Sequence, residues 1–298
     1  PHLFETNDYG QTWRDLSANL PQDDYLKVIR QHPENRDLLF VGMERGIYAS
    51  WDRGTTWIDI RANLPRVSVR GIQIQRQFND LVIGTHGRGA WILDDIQPFV
   101  ELSEAMEKDV HLFQIRTATD WERWGRISNL GQSAFTGENP DEGAWIHFYL
   151  SEEMASSLTT QTPGLDSSRL TVQIVDSEGA LVRELRNEDP KAGINRIVWD
   201  LQWFGPEPIP GQGGGGFFGG AQGPPAVPGT YTAKLLVAGR ELTSDFELRG
   251  DPNVTASNAA YEARLTAAIR ARDLQPQLNQ MVGTMRDKKR YGFLWRCS

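Results

Sequence analysis

The chain has 298 residues, with 39 Asp and Glu against 31 Lys and Arg and a formal net charge of −8. An acid excess spread along the chain excludes the concentrated basic face that nucleic-acid phosphates require and reads as solubility. No apolar run approaches the ~20 residues of a membrane span, and the single cysteine, Cys297, excludes an internal disulfide.

The first predicted elements form an internal repeat. The segment 6–13, Thr-Asn-Asp-Tyr-Gly-Gln-Thr-Trp, returns 44 positions later as 50–57, Ser-Trp-Asp-Arg-Gly-Thr-Thr-Trp, and each copy runs on into Ala-Asn-Leu-Pro. A period of about 40–50 residues is that of one four-stranded propeller blade. Asp8 and Gly10, like Asp52 and Gly54, predict a hairpin whose carboxylate accepts backbone N–H groups while the glycine takes a positive φ. Trp13 and Trp57 then re-enter a strand and are expected to pack inward. Residues 39–48 align with 81–92 as strand, glycine turn, strand, and the array ends at 93–98.

These residues carry a resemblance. The two Ser/Thr-x-Asp-x-Gly-x-Thr-Trp segments resemble the Asp-box hairpins of sialidase-type, xyloglucanase-type and sortilin-type β-propellers, and 80–98, with its Thr85-His86-Gly87-Arg88-Gly89 core, is similar to the last blade of bacterial sortilin-like proteins. The resemblance implies that Asp8, Gly10, Trp13, Asp52, Gly54 and Trp57 are structural, on the blade periphery. About two blades are present and no propeller closes with fewer than four, so residues 1–98 are expected to be the terminal blades of a longer protein. The missing N-terminal blades would be their first partner. The resemblance also implies an extracytoplasmic setting: secreted, periplasmic or in a bacterial cell envelope.

Residues 99–142 have no clear period and predict a linker packed on the last blade, with one possible strand at 110–113. Trp121 and Trp124, beside Arg123 and Arg126, are either a sugar-stacking platform or, more commonly, tryptophans that bury a linker. Strand-like runs at 145–150, 170–176, 181–185, 196–200, 230–237 and 242–248, with a turn at 176–179, predict a β-sandwich over 143–249. The words Val172-Gln173-Ile174-Val175-Asp176, Ile197-Val198-Trp199-Asp200 and Pro228-Gly229-Thr230-Tyr231 resemble the Ig-like module of flagellar hook-capping proteins. Trp199 is expected in its core, and Asp200 as a turn cap after a strand. The Gly-rich stretch 211–223 satisfies a dinucleotide fingerprint only by accident, since no strand and helix flank it, and reads as a flexible loop.

From about Thr255 the pattern turns helical, with Leu265 and Ile269 four apart and Leu278, Met281 and Met285 at steps of three and four. Pro276 predicts a break and a second helix, hence a short helical hairpin packing on itself or on a partner. The closing residues 290–298 leave this pattern, and 250–298 is expected to be a truncated tail. The fold class is therefore mainly β: terminal blades of an Asp-box propeller, an Ig-like sandwich and a short helical tail.

Catalytic motifs are missing. There is no His-Glu-x-x-His, Cys-x-x-Cys, phosphate-binding glycine loop or Gly-x-Ser-x-Gly, and the five histidines do not fall at metal-ligand spacings. No catalytic residue, metal or cofactor is assigned. The one functional expectation falls on His86 and Arg88: their glycines allow close backbone approach, and both side chains can donate hydrogen bonds to a carboxylate or sugar hydroxyl at a channel mouth. The competing expectation is that Arg88 ties blades together through carbonyls or through Asp94 and Asp95. The function expected is a non-catalytic binding or scaffold part of a sortilin-like propeller protein, acting on a peptide or glycan. The alternative is the accessory half of an Asp-box glycoside hydrolase whose paired carboxylates lie upstream.

Overall fold

In the computed structural model of the chain, which describes residues 1–122, 139–159, 170–187, 189–206 and 222–294, strands of two to eleven residues dominate and a single long helix ends the chain. The fold is mainly β. Two units separate by contact, the first built from 1–113 with 148–154 and 192–194, the second from the remainder.

In the first unit, β1 (Phe4–Glu5) and β2 (Arg14–Asp15) pair antiparallel across the first repeat hairpin. Then β3 (Leu26–Gln31), β4 (Leu39–Met43), β5 (Ile47–Ser50) and β6 (Ile58–Asp59) make a four-stranded antiparallel meander in chain order. A three-stranded meander follows, β7 (Val69–Gln75), β8 (Asp80–Thr85) and β9 (Ala90–Leu93). Alternation decides what each face buries. Every residue of β4 is buried: Phe40 points into a cluster with Ile72, Leu81 and Ile83 of the next meander, while Leu39, Val41 and Met43 point into a second cluster with Leu3, Leu16 and Trp57. Gly42 lets the two meanders approach, since a Cβ there would lie 2.6 Å from the Val69 side chain and 2.8 Å from its carbonyl oxygen. Short helices α1 (Gln97–Val100) and α2 (Leu102–Ala105) follow, the first with Pro98 in its opening turn, where its missing N–H costs nothing. Next comes β10 (Val110–Leu112), paired antiparallel with Leu150–Phe148.

The second unit contains β11 (Ala118–Asp120), which pairs parallel with the last strand; β10 and β11 thus both fall within the segment expected as linker. β12 (Ala144–Leu150), whose last residues belong to the first unit, is followed by α3 (Glu152–Thr159), β13 (Leu170–Asp176), β14 (Leu181–Arg186), β15 (Gly193–Trp199), β16 (Gly229–Val237) and β17 (Arg240–Gly250). The larger sheet has the order β11-β17-β16-β13-β14, and β15 lies beside β12. The two layers meet at Trp199, wholly buried, whose ring lies 5.1 Å from Tyr231 and 6.1 Å from Phe246. Asp176 shapes the turn between β13 and β14 by accepting the N–H groups of Glu178 and Ala180, with Gly179 at φ 82°. Asp200 accepts the Gln202 N–H at 3.3 Å and lies 3.6 Å from Arg183. On β12, Trp145 is faced by the guanidinium groups of Arg116 and Arg196 at 4.8 and 4.4 Å. Burial first, and those two cations second, push the neighbouring His147 down to about 4.

The last element corrects an expectation. Instead of a short hairpin broken at Pro276, α4 (Asn258–Leu294) is one helix of 37 residues with Pro276 inside it. A proline removes one backbone bond and strains a turn, but Leu, Gln and Arg on both sides, with Ala267, Ala268 and Ala271 before it, favour helix strongly enough to carry it through. Residues 211–221 of the Gly-rich stretch and Cys297 lie outside the described residues.

Candidate functional site

An antiparallel meander sends alternate loops to opposite ends, and this sorts the expected residues. At one end lie the repeat hairpins. In the first, Asp8 Oδ1 accepts the Thr12 N–H at 2.8 Å and Oδ2 accepts the Thr12 hydroxyl at 2.6 Å, while Thr6 Oγ1 accepts the Gly10 N–H at 2.8 Å. The second repeats this with Asp52, Thr56, Ser50 and Gly54, at 2.8, 2.6 and 2.7 Å. Tyr9, Gly10, Arg53 and Gly54 all have positive φ, the conformation for which the glycines are needed. The Thr12 hydroxyl and N–H hold the Asp8 carboxyl down to about 2. Burial pushes Asp52 up, but the Thr56 and Ser50 hydrogen bonds outweigh it and the net direction is down. Asp15 and Asp59 are likewise engaged locally, by Ser17 and Arg61. The two tryptophans differ: Trp57 is buried, as expected, whereas Trp13 stands out into solvent with its Nε1–H donated to Gly10 O.

At the other end, where Leu26 pairs Met43 and Val69 pairs Thr85, the loops carry charge. Arg45 pairs with Asp23 at 2.8 Å, and its N–H is donated to Asp24. The Glu44 N–H is donated to the Tyr25 carbonyl. Lys27 lies 3.0 Å from Glu44 and 5.6 Å from the centre of the exposed Tyr25 ring. Ser68 donates its hydroxyl to Glu44 at 3.1 Å and accepts from Arg70 Nε at 3.4 Å. The Ser68 carbonyl in turn accepts the His86 N–H at 2.9 Å. One continuous row of polar contacts therefore runs from Asp23 to His86 across both meanders. Hydrogen bonds from Lys27 and Ser68 hold the Glu44 carboxyl below its ordinary value, and the Arg45 guanidinium does the same for Asp23.

His86 and Arg88 sit at the tip of the β8–β9 hairpin, which is closed by the Thr85 hydroxyl on the Gly89 carbonyl at 2.6 Å and by Trp91 Nε1–H on the Arg88 carbonyl at 3.0 Å. Both residues are exposed. Among the described residues neither side chain makes a hydrogen bond or ion pair; the tie from Arg88 to a neighbouring blade, through carbonyls or through Asp94 and Asp95, stays an expectation. The tight turn with two glycines at φ 86° and 68° throws the intervening side chain outward. Trp121, in the second unit, is 47% exposed, its neighbour Glu122 held to Asp251 through its N–H. Trp124 lies outside the described residues. Among the described residues no three His, Cys, Asp or Glu side chains come together as metal ligands.

Tyr25, Lys27, Glu44, Ser68 and Arg70 carry no motif. The repeat alignment held the signal for one of them, because it sets Glu44-Arg45-Gly46 against His86-Gly87-Arg88-Gly89 and so places Glu44 in the loop equivalent to that of His86.

Neither a protein-family model nor a curated protein sequence matches the chain. A solved structure from work on PorZ, described as an essential bacterial surface component of the type-IX secretion system of Porphyromonas gingivalis, aligns over 83% of this chain at 12% identity and a TM-score of 0.24. This chain spans 25% of that one, and a TM-score so low supports no conclusion about fold or role. None of the described helices is long and apolar enough to cross a membrane.

Proposed function

We propose that this chain is a non-catalytic binding or scaffold part of an extracytoplasmic, sortilin-like Asp-box propeller protein, and that the loop end bearing His86 and Arg88 takes a peptide or a glycan. The observation that carries this reading is the β8–β9 tip: two hydrogen-bonding side chains, exposed and unengaged, on a turn fixed by its own hydrogen bonds. Among the described residues these donors bond nothing, and the turn that carries them is held by its own hydrogen bonds, so the backbone of the site has little conformational freedom left to lose on binding. The hairpins 6–13 and 50–57 support the propeller assignment through their repeated Asp-to-Thr bonds. Two meanders and a half-blade do not close a ring, so further blades would complete the channel that this loop end borders.

The test is a peptide and glycan array probed with the 298-residue chain and with the double variant His86→Ala/Arg88→Ala, while reducing-sugar release is followed in the same wells. Binding that falls at least ~10-fold in the variant, a loss of about 1.4 kcal/mol, with melting unchanged is the expected result. Binding that survives the variant moves the site elsewhere, and sugar release moves the protein to the hydrolase class. A lowered melting temperature would support the tying role for Arg88.

A further inference from the structure

The helix α4 presents two stripes, and its own chain uses one of them. Tyr261, Leu265, Ala268, Ile269, Arg272 and Asn279 are half-buried. Tyr261 lies against the second unit's body, its hydroxyl 2.7 Å from where a Cβ on Gly250 would stand, and Arg272 reaches the Phe204 carbonyl at 3.5 Å. The other stripe is Ala267, Ala271, Leu274, Leu278 and Met281, all exposed, with Leu274 at 55% and Leu278 and Met281 each at 60%.

The spacing of the exposed stripe names the kind of surface that covers it. Its steps are four, three, four and three residues, the 3.5-residue repeat of a helix seated along another helix. A helix lying on a sheet or a lipid surface needs a wider apolar face, of about 100° or more. Here the positions flanking the stripe are Arg270, Gln275 and Gln277, polar and without like charges facing one another along the seam.

Residue size then chooses the occupant and its direction. The stripe starts small, with Ala267 and Ala271, passes through Leu274 and Leu278, and ends large at Met281. A parallel copy would set Ala271 on Ala271 and Met281 on Met281, leaving a gap at one end and crowding the other. An antiparallel copy, turned about the level of Pro276, sets Leu274 on Leu278 and Ala271 on Met281, large into small along the whole seam.

We propose that α4 pairs antiparallel with α4 of a second copy of this chain, through an isologous seam of Ala271, Leu274, Leu278 and Met281. Sedimentation equilibrium of the 298-residue chain tests it. The expected result is a dimer by about 100 µM, with Leu274→Glu/Leu278→Glu monomeric at that concentration and unchanged in helix content and melting, since both leucines are exposed in the single chain. For direction, Ala271→Cys and Met281→Cys are each placed in a Cys297→Ser background. Oxidising the two together should give a disulfide-linked dimer, and oxidising either alone should not. A monomeric wild type, a dimer that survives the double glutamate, or a single-cysteine variant that cross-links to itself would each overturn the proposal.

Discussion

The hairpin at 6–13 and its copy at 50–57 make the same internal hydrogen bonds, yet Trp13 is 61% exposed and Trp57 only 5%. The difference lies in what each ring packs against. Trp57 donates its Nε1–H to the Leu16 carbonyl at 2.7 Å, and its backbone N–H and carbonyl are both bonded to the Asn19 side chain at 2.9 Å. Arg53 reaches Glu5 and Asn7 at 2.7 Å. The tail of one repeat, Ala18-Asn19-Leu20-Pro21, is thus the dock for the hairpin of the next. Among the described residues Trp13 meets no such tail, and Asn63, the counterpart of Asn19, is exposed and bonds to nothing among them. Aspartate and glycine shape each hairpin from within; the burial of its tryptophan is a property of two consecutive repeats.

The sharpest way to break this comparison is at the tryptophans. Trp57→Ala should cost about 3–5 kcal/mol, a buried ring lost along with its hydrogen bond. Trp13→Ala should cost less than about 1 kcal/mol. Urea unfolding followed by circular dichroism checks both, and equal losses would mean that Trp13 is covered in solution by something the single chain does not supply.

Asparagine gives the next contrast. Asn19→Ala removes two bonds and leaves the Trp57 backbone groups partly buried without partners, at about 1–3 kcal/mol, whereas Asn63→Ala should stay within about 0.5 kcal/mol of wild type. The same urea series reads the difference, and a costly Asn63→Ala would show that the second tail is also occupied.

Which parts of this were legible in the sequence follows from range. The hairpins, the turn at Asp176 and the strands 170–176 and 230–237 are written in local residues, so pattern and turn chemistry located them. Trp199 in the core followed from the alternation of its own strand. Trp13 departs from expectation because burial of this tryptophan needs the tail of a neighbouring repeat, as Trp57 has in Leu16 and Asn19, and the motif itself does not encode that neighbour. β11 escaped because a three-residue strand at a sheet edge needs only the backbone of β17, not a sequence pattern. Pro276 is a misleading stop signal because its helix-forming neighbours outweigh the one backbone bond it removes. Of the candidate site, only the glycine-flanked His86 and Arg88 stood out; the row from Asp23 through Glu44 to Ser68 is assembled by strand register between two meanders, and its contacts span up to 24 positions.

The smallest contrast is electrostatic and concerns the two hairpin carboxylates. Both are held below the ordinary value of 3.8, Asp8 at about 2. A carboxylate lowered on folding contributes stability that is fully present above the unfolded value and is lost as pH falls through the folded one; for Asp8 that window runs from 3.8 down to about 2. Thr12 and Thr56 supply the decisive hydroxyls, so Thr12→Val and Thr56→Val should each raise the carboxyl toward 3.8 and shrink the stability that acid removes. Thr56→Val should also cost stability at neutral pH, by about 0.5–1.5 kcal/mol, because Gly54 packs against Leu16 and a loosened second hairpin draws Trp57 out of its dock. Thr12→Val loosens a hairpin that nothing else rests on in the same way, and its neutral-pH cost should be smaller. Side-chain carboxyl titrations by NMR, with melting curves between pH 2 and 7, separate the two effects. If the two variants lose the same stability at neutral pH, the hairpins are independent folding units and the dock between repeats contributes little.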